Sequence, residues 1–291
     1  MITFMNELTL PERHALAALL ELAIREDLGQ AGDVTSLATI PEDATGRAAF
    51  VARQPGVLAG VPIIARVIER FDPALRFKPL LTDGAPLARG HWIGTVEGSM
   101  RSILAAERTA LNFAQHLSGI ASRTRQFVDL VAGTRATILD TRKTLPAWRL
   151  LDKYAVRAGG GQNHRIGLYD GILIKDNHLA AMGNDIEQAV QRARECYPDL
   201  PIEIEVDSLD QFERALACGP AIILLDNMDP DELRRAVGQR DAFSPAVKLE
   251  ASGGVNLDTV RGIAETGVDR ISVGSLTHSA PALDIALDYL V

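Results

Sequence analysis

The sequence predicts a mixed α/β protein in two parts: an α+β unit built on a small sheet, then a run of parallel β/α alternation. Three observations carry this. The short runs RAAFVA, GVLAGV, LRFKPLL and HWIGTVEG lie between turn signals, and the helical run VPIIARVIERF interrupts them. A long helical stretch follows, from Met100 to about Val131. Beyond it, six short apolar runs alternate with helical patterns. At 291 residues, 47% apolar and 23% charged, the chain has room for one large globular domain or two ordinary ones.

The elements read in order as follows. From Pro11 to Leu28, the spacing of Leu16, Leu19, Leu20, Ala23 and Ile24 predicts an amphipathic helix. The four short runs supply the strands of the small sheet. In the long helical stretch, Gly119 is the expected break or kink, and the change of domain is placed in this region: residues 1–115, then 116–279. Strands are expected at Ala136–Leu139, Gly171–Ile174, Ile202–Ile204, Ala221–Leu225, Ala246–Leu249 and Arg270–Val273. Helices are expected at 147–158, 185–197, 208–217, 229–238 and 256–266. Residues 280–291 read as a last helix that packs back on the first domain. The alternation fits either a barrel or a doubly wound layer.

Composition excludes several classes of function. No apolar run approaches the roughly 18 residues that span a bilayer. The N-terminus, MITFMNELTLPERH, has an acidic residue and no basic n-region, so no signal peptide is expected. Two cysteines, Cys196 and Cys218, give no disulfide framework and suit a reducing cytoplasm. A net charge of -8 and a pI near 5.3 argue against broad nucleic-acid binding. Neither CxxC nor HExxH spacing occurs, so no structural zinc is expected.

Against this acidic background, Leu139 to His178 gathers Arg142, Lys143, His164, Arg165 and Lys175 beside a glycine run. Such local positive charge calls for a small ligand bearing several carboxylates or phosphates. The ends of the expected strands agree: Asp140 to Lys143, then Lys175, Glu205, Asp226, the run Glu250-Ala251-Ser252-Gly253-Gly254, and Val273-Gly274-Ser275. Polar groups at the C-terminal ends of successive parallel strands converge on one face. The last two turns, SGGV and VGS, can offer backbone N–H groups to a phosphate. The GGG at 159–161 reads as a helix cap that lets His164 and Arg165 reach a ligand. Glu205 and Asp226 could hold Mg2+, accept sugar hydroxyls or stabilise developing positive charge. A glycosidase pair fits poorly, since a neutral glycoside needs no cationic cluster. A purely structural pairing with Lys143 or Lys175 stays open.

In order along the chain, DTRKT, GGG-Q-NHR, KDNH, IEIEVDS, LLDNM, ASGGV and VGSLTHS resemble the quinolinate phosphoribosyltransferase family. REDLG..GDVTS, GVLAG and AERTALNF extend the likeness over nearly the whole chain. One departure is Ala147-Trp148, where the family usually has Gly-Leu after the proline. The resemblance implies an N-terminal α/β sandwich domain followed by an incomplete α/β barrel. It implies a cytoplasmic enzyme that joins quinolinate to phosphoribosyl pyrophosphate with Mg2+, releasing pyrophosphate and CO2. Arg142, His164, Arg165 and Lys175 would meet the quinolinate carboxylates. Lys143, Glu205, Asp226, Ser252, Gly253, Gly254, Val273, Gly274, Ser275 and His278 would meet the phosphoribosyl side, with Lys143, Glu205 and Asp226 catalytic. Mg2+ would be held mainly through substrate, with Glu205 and Asp226 as its candidate ligands. Arg108 would serve the partner's site in a homodimer, or in a hexamer of such dimers. Neither nucleic acid nor membrane is an expected partner. Two other readings stand beside this one: a paralogue with a different acceptor, and a non-catalytic metabolite-binding barrel.

Overall fold

The computed structural model describes residues 8–290. Residues 1–7, half of the segment read for a signal peptide, lie outside the described residues. In chain order the elements are α1 (Leu10–Leu28), α2 (Val34–Thr39), β1 (Thr45–Ala52), β2 (Gly56–Val57), α3 (Val61–Phe71), β3 (Arg76–Pro79), β4 (Pro86–Leu87), β5 (Trp92–Ser99) and α4 (Met100–Leu130). Then come β6 (Thr137–Leu139), α5 (Arg149–Ala158), β7 (Ile172–Ile174), α6 (Asp176–Ala181), α7 (Ile186–Cys196), β8 (Ile202–Val206), α8 (Leu209–Cys218) and β9 (Ile222–Asp226). The last are α9 (Pro230–Phe243), β10 (Lys248–Ser252), α10 (Val260–Ala264), β11 (Arg270–Ser272), α11 (Ser275–His278) and β12 (Ile285–Tyr289). No helix among the described residues is long and apolar enough to cross a membrane.

The chain divides into two compact units, the first formed by residues 1–125, 144–160 and 276–291 and the second by 126–143 and 161–275. In the first, four strands form the antiparallel sheet β12-β1-β5-β3. Local chemistry explains the helix starts. Thr9 and Glu12 form a reciprocal capping box ahead of α1, with Pro11 in its first turn. α3 begins at Gly60, which is left-handed at φ 108, and Asp83 accepts the Val61 N–H at 3.0 Å. Burial pushes the Asp83 carboxyl up to about 6, and Tyr154 donates its hydroxyl to it. Val61, Ile63, Ile64, Val67 and Ile68 make one buried stripe on α3. On the sheet, Phe50 meets Phe77 edge-on with ring centres 5.8 Å apart.

Two expectations need correction here. Gly119 does not break the long helix, for α4 runs unbroken from Met100 to Leu130. A Cβ at Gly119 would lie 2.2 Å from the Pro281 carbonyl oxygen, so glycine there permits a close backbone approach. Residues 280–291 do not form a helix. Ile285 to Tyr289 is a strand antiparallel to β1, with Ala48 opposite Tyr289 and Ala52 opposite Ile285. Buried Ile285 and Leu287 alternate with the more exposed Ala286 and Asp288, a period of two that the apolar content of the segment conceals.

The loop carrying the Ala147-Trp148 departure is also in this unit. Ala147 sits at φ 66, left-handed territory that costs a side-chain-bearing residue about 1 kcal/mol. Trp148 compensates by stacking on Phe113, ring centres 4.8 Å apart, and by meeting the edge of His116 at 5.1 Å. His116 is held in turn at 2.8 Å by buried Asp152. Ala147→Gly is therefore expected to raise stability by about 1 kcal/mol, a melting shift of about 2 °C. Differential scanning calorimetry checks it, and an unchanged or lowered midpoint would show that the loop carries no strain.

The second unit is a six-stranded parallel sheet in the order β6-β11-β10-β9-β8-β7. Sequence-adjacent strands β7 to β11 lie side by side, and β6 pairs with β11. β6 and β7 end the row unpaired with each other, so the sheet is an incomplete α/β barrel. The six strands fall within about three residues of their expected positions, and the strand cores Ile138, Ile204, Ile223, Leu225, Leu249 and Ile271 are buried. Burial of such side chains contributes roughly 1.5–3 kcal/mol each.

Candidate active site

Strand alternation aims every second side chain inward, and parallel order brings all six C-terminal strand ends to one edge of the sheet. A cavity of about 690 Å³ opens at that edge. Thr141, Arg142 and Lys143 follow β6, Lys175 follows β7, and Glu205 lies on β8. Asp226 and Asn227 close β9, Ser252 to Gly254 close β10, and His164 and Arg165 come from the loop before β7. A smaller hollow of about 490 Å³ between α1 and α3 is walled by Leu16 and Leu20 and by the exposed pair Glu21–Arg70. Its paired charges, Arg66 with Glu69 and Arg70 with Glu21, are exposed on the helix surfaces rather than placed at strand ends.

The loop is held rigidly. Asp140, fully buried, accepts the His164 backbone N–H at 2.9 Å and the Asn163 side-chain amide at 2.6 Å. Asp170 accepts the N–H groups of Ile166 at 2.7 Å and Gly167 at 2.8 Å. The Arg165 guanidinium donates to the Gly171 carbonyl at 3.1 Å. Burial, then the neighbouring positive charge of Arg142, lowers the Arg165 pKa. Two guanidinium groups crowded in this way are relieved by an anion between them.

His164 meets two carboxylates, with Nε2 3.0 Å from Glu203 and 3.4 Å from Glu250. Burial opposes a charge on the ring, but hydrogen bonds to Glu203 and Glu250 outweigh it and push the pKa up to about 9. The Arg165 amide, which donates to Nδ1 at 2.7 Å, acts the other way, because a doubly protonated ring cannot accept from it. In the same cavity, Lys175 pairs with Glu205. Asn227 donates to Asp226 at 2.8 Å. Gly253 and Gly254 are left-handed at φ 92 and 59, and a Cβ at Gly253 would meet the Asn227 side-chain oxygen at 2.2 Å. Only glycine fits this turn, and turns of this kind offer N–H groups to anions.

The structure thus brings together Arg142, Lys143, His164, Arg165, Lys175, Glu205, Asp226, Ser252, Gly253 and Gly254. Buried Val273 donates its N–H to Leu139, and with Gly274 and Ser275 it stands just beyond cavity-lining Ser272. Arg108 is exposed on α4 and His278 is exposed beside Ser279, both in the first unit. Sequence reasoning missed Leu173, Leu224, Asn227 and Ser272 as lining residues, and Glu203 altogether. For Glu203 the signal was present: in IEIEV, positions 203 and 205 share one face of the strand. Glu205 and Asp226 offer hard oxygen donors, a set that suits Mg2+ held jointly with phosphates.

Two family models account for the chain. The C-terminal domain of quinolinate phosphoribosyl transferase matches residues 120–288, and the N-terminal domain matches residues 33–118. The chain belongs to the quinolinate phosphoribosyl transferase family. A nicotinate-nucleotide pyrophosphorylase (carboxylating) of Mycobacterium leprae is 47% identical over 268 residues, covering 91% of this chain and 94% of that protein. A probable nicotinate-nucleotide pyrophosphorylase (carboxylating) of Bacillus subtilis is 42% identical over 94% of this chain and 93% of its own length. The nicotinate-nucleotide pyrophosphorylase structure from Francisella tularensis superposes with a TM-score of 0.90 at 36% identity, covering 98% of this chain and 99% of that one. Within this family, the sandwich-plus-barrel architecture expected from the motifs is the one observed.

Proposed function

We propose that the protein is a carboxylating nicotinate-nucleotide pyrophosphorylase, a pentosyltransferase of NAD biosynthesis that uses quinolinate and phosphoribosyl pyrophosphate. The observation that carries this is the crowding of Arg142 and Arg165 in one cavity with Lys143, Lys175, Glu205 and Asp226. A dianionic pyridine is the complementary ligand for such cations, and Arg grips a carboxylate bidentately. The glycine turn at 253–254 suits the phosphate end of the second substrate. The pyridine nitrogen attacks C1 of the ribose, and the C1–O bond to pyrophosphate breaks. Glu205 and Asp226 stabilise the positive charge that develops at C1. The quaternised ring then takes up the electron pair released as the adjacent carboxylate leaves as CO2, and a proton replaces it. Glu205 and Asp226 would hold Mg2+ together with the substrate phosphates, and the bound ion supplies counter-charge to the pyrophosphate. Free Cys196 and Cys218 support a reducing, cytoplasmic setting. The deciding experiment uses quinolinate labelled in its C2 carboxylate. Equal yields of labelled CO2, pyrophosphate and nicotinate mononucleotide are expected, and nucleotide formed without CO2 would refute the assignment.

Assembly follows from the same reading. Arg108 completes the partner's cavity, which makes the active unit a two-fold dimer. Arg108→Ala and Lys143→Ala should each be inactive, and mixing them should restore part of the activity, because exchange creates heterodimers with one intact site. Native mass spectrometry must show the exchange. Heterodimers without activity would place Arg108 in the service of its own subunit.

A further inference from the structure

The floor beneath the cavity is charged where a barrel interior is ordinarily filled by branched aliphatic side chains. Glu203 on β8 is 4% exposed and Glu250 on β10 is fully buried. Arg270, opposite Glu250 in the β10–β11 register, pairs with it at 2.8 Å. Neither carboxylate has a part in the reaction described above, and burying two such groups is costly unless something is gained from them. Both converge on one atom, Nε2 of His164.

We propose that Glu203 and Glu250 are positioning residues that fix His164 and, through it, Arg165 for the pyridine dicarboxylate. The ring is engaged on both sides. Nε2 faces the two carboxylates, and Nδ1 accepts the Arg165 amide at 2.7 Å. With Nδ1 accepting, the ring proton sits on Nε2, and a charged ring carries a proton there as well, so in either state Nε2 donates to the carboxylates. His164 therefore has no nitrogen left over for a ligand in this arrangement. What it holds is the backbone that carries Arg165, already tied at the preceding N–H by Asp140. The guanidinium of Arg165 is then presented at a fixed angle to the cavity, the supporting role that a rigid bidentate grip requires.

The inference rests on quinolinate being the substrate, and the test separates the two claims. Glu203→Leu and Glu250→Leu remove the acceptors, while Glu203→Gln and Glu250→Gln keep an oxygen for the Nε2 proton. The Leu variants are expected to raise the KM for quinolinate about tenfold or more, the consequence of a buried donor left unpaired. The KM for phosphoribosyl pyrophosphate should stay within about twofold. The Gln variants should recover most of the loss. Folded Leu variants with an unchanged quinolinate KM would overturn the proposal, as would both KM values rising together, which marks general loosening of the barrel. If the Leu variants do not fold, 15N-histidine spectra of the wild-type protein decide. A His164 Nε2 that stays protonated through the neutral range supports the proposal; an unprotonated Nε2, or a resonance shifted by a metal chelator, overturns it. A wild-type protein that neither binds nor consumes quinolinate refutes the substrate assignment instead, whatever the spectra show.

Discussion

Quinolinate should be turned over with a kcat/KM at least about 10⁴ above that of nicotinate, because a site built to pair a polar group strongly rejects the analogue that lacks it. Arg142 and Arg165 stand close enough that the charge of one depresses the pKa of the other, and Lys175 lines the same cavity. Quinolinate brings two carboxylates to these cations. Nicotinate brings one, so a guanidinium or ammonium is left desolvated without its anion, a penalty of roughly 1–3 kcal/mol or more for a charged group. The remainder comes from chemistry, since nicotinate has no carboxylate beside the ring nitrogen to leave as CO2 and draw the reaction forward. Steady-state kinetics with both acids, at fixed phosphoribosyl pyrophosphate, measure the ratio directly. Comparable efficiencies would mean that the cations serve phosphates alone and that the acceptor has been misassigned. A paralogue with a different acceptor would then be the better reading.

Much of this site was legible because its residues sit where local rules are strong. A run of apolar residues that ends in a charge, repeated between helical patterns, specifies both a parallel strand and the face its last side chain joins. Lys175, Glu205 and Asp226 were found that way, and all three line the cavity. Glu203 shows why the rest was harder. It lies within a strand, and a buried carboxylate in a strand reads as an irregularity until its partner is known. That partner, His164, arrives from a loop about forty residues before Glu203, and no local pattern records the encounter. Ile285 to Tyr289 failed for a related reason. The segment is short and apolar enough to fit either period, and pairing with β1, more than two hundred residues away, decides the matter. Gly119 looked like a helix breaker by propensity, yet the contact with Pro281 is what requires it.

Removing the charge of either Glu205 or Asp226 should lower kcat by about 10²–10³ while leaving quinolinate affinity nearly intact. The reasoning turns on what the two carboxylates face. Glu205 pairs with Lys175, whose side chain is 43% exposed, so the pair itself adds little to stability. Glu205→Gln releases Lys175 for an anionic ligand, and the KM for quinolinate should hold or fall. The transition state has the opposite need. As pyrophosphate departs, C1 of the ribose gains positive charge, and in a cavity lined by Arg142, Lys143, Arg165 and Lys175 the surrounding field opposes that charge. Glu205 and Asp226 offset the field at the reacting carbon, so their loss appears in the barrier and hardly in ground-state binding. Asp226→Asn should behave alike, since Asn227 already donates to Asp226 and the amide preserves much of the local geometry. Single-turnover kinetics separate the chemical step from product release, and calorimetry follows folding. A large drop in melting temperature in both variants, with kcat preserved in the folded fraction, would make the two acids structural partners of Lys175 and Lys143. An equal loss in kcat/KM carried wholly by KM would make them substrate anchors. The expected pattern, a low kcat with unchanged KM and unchanged stability, assigns them to the ribosyl transition state.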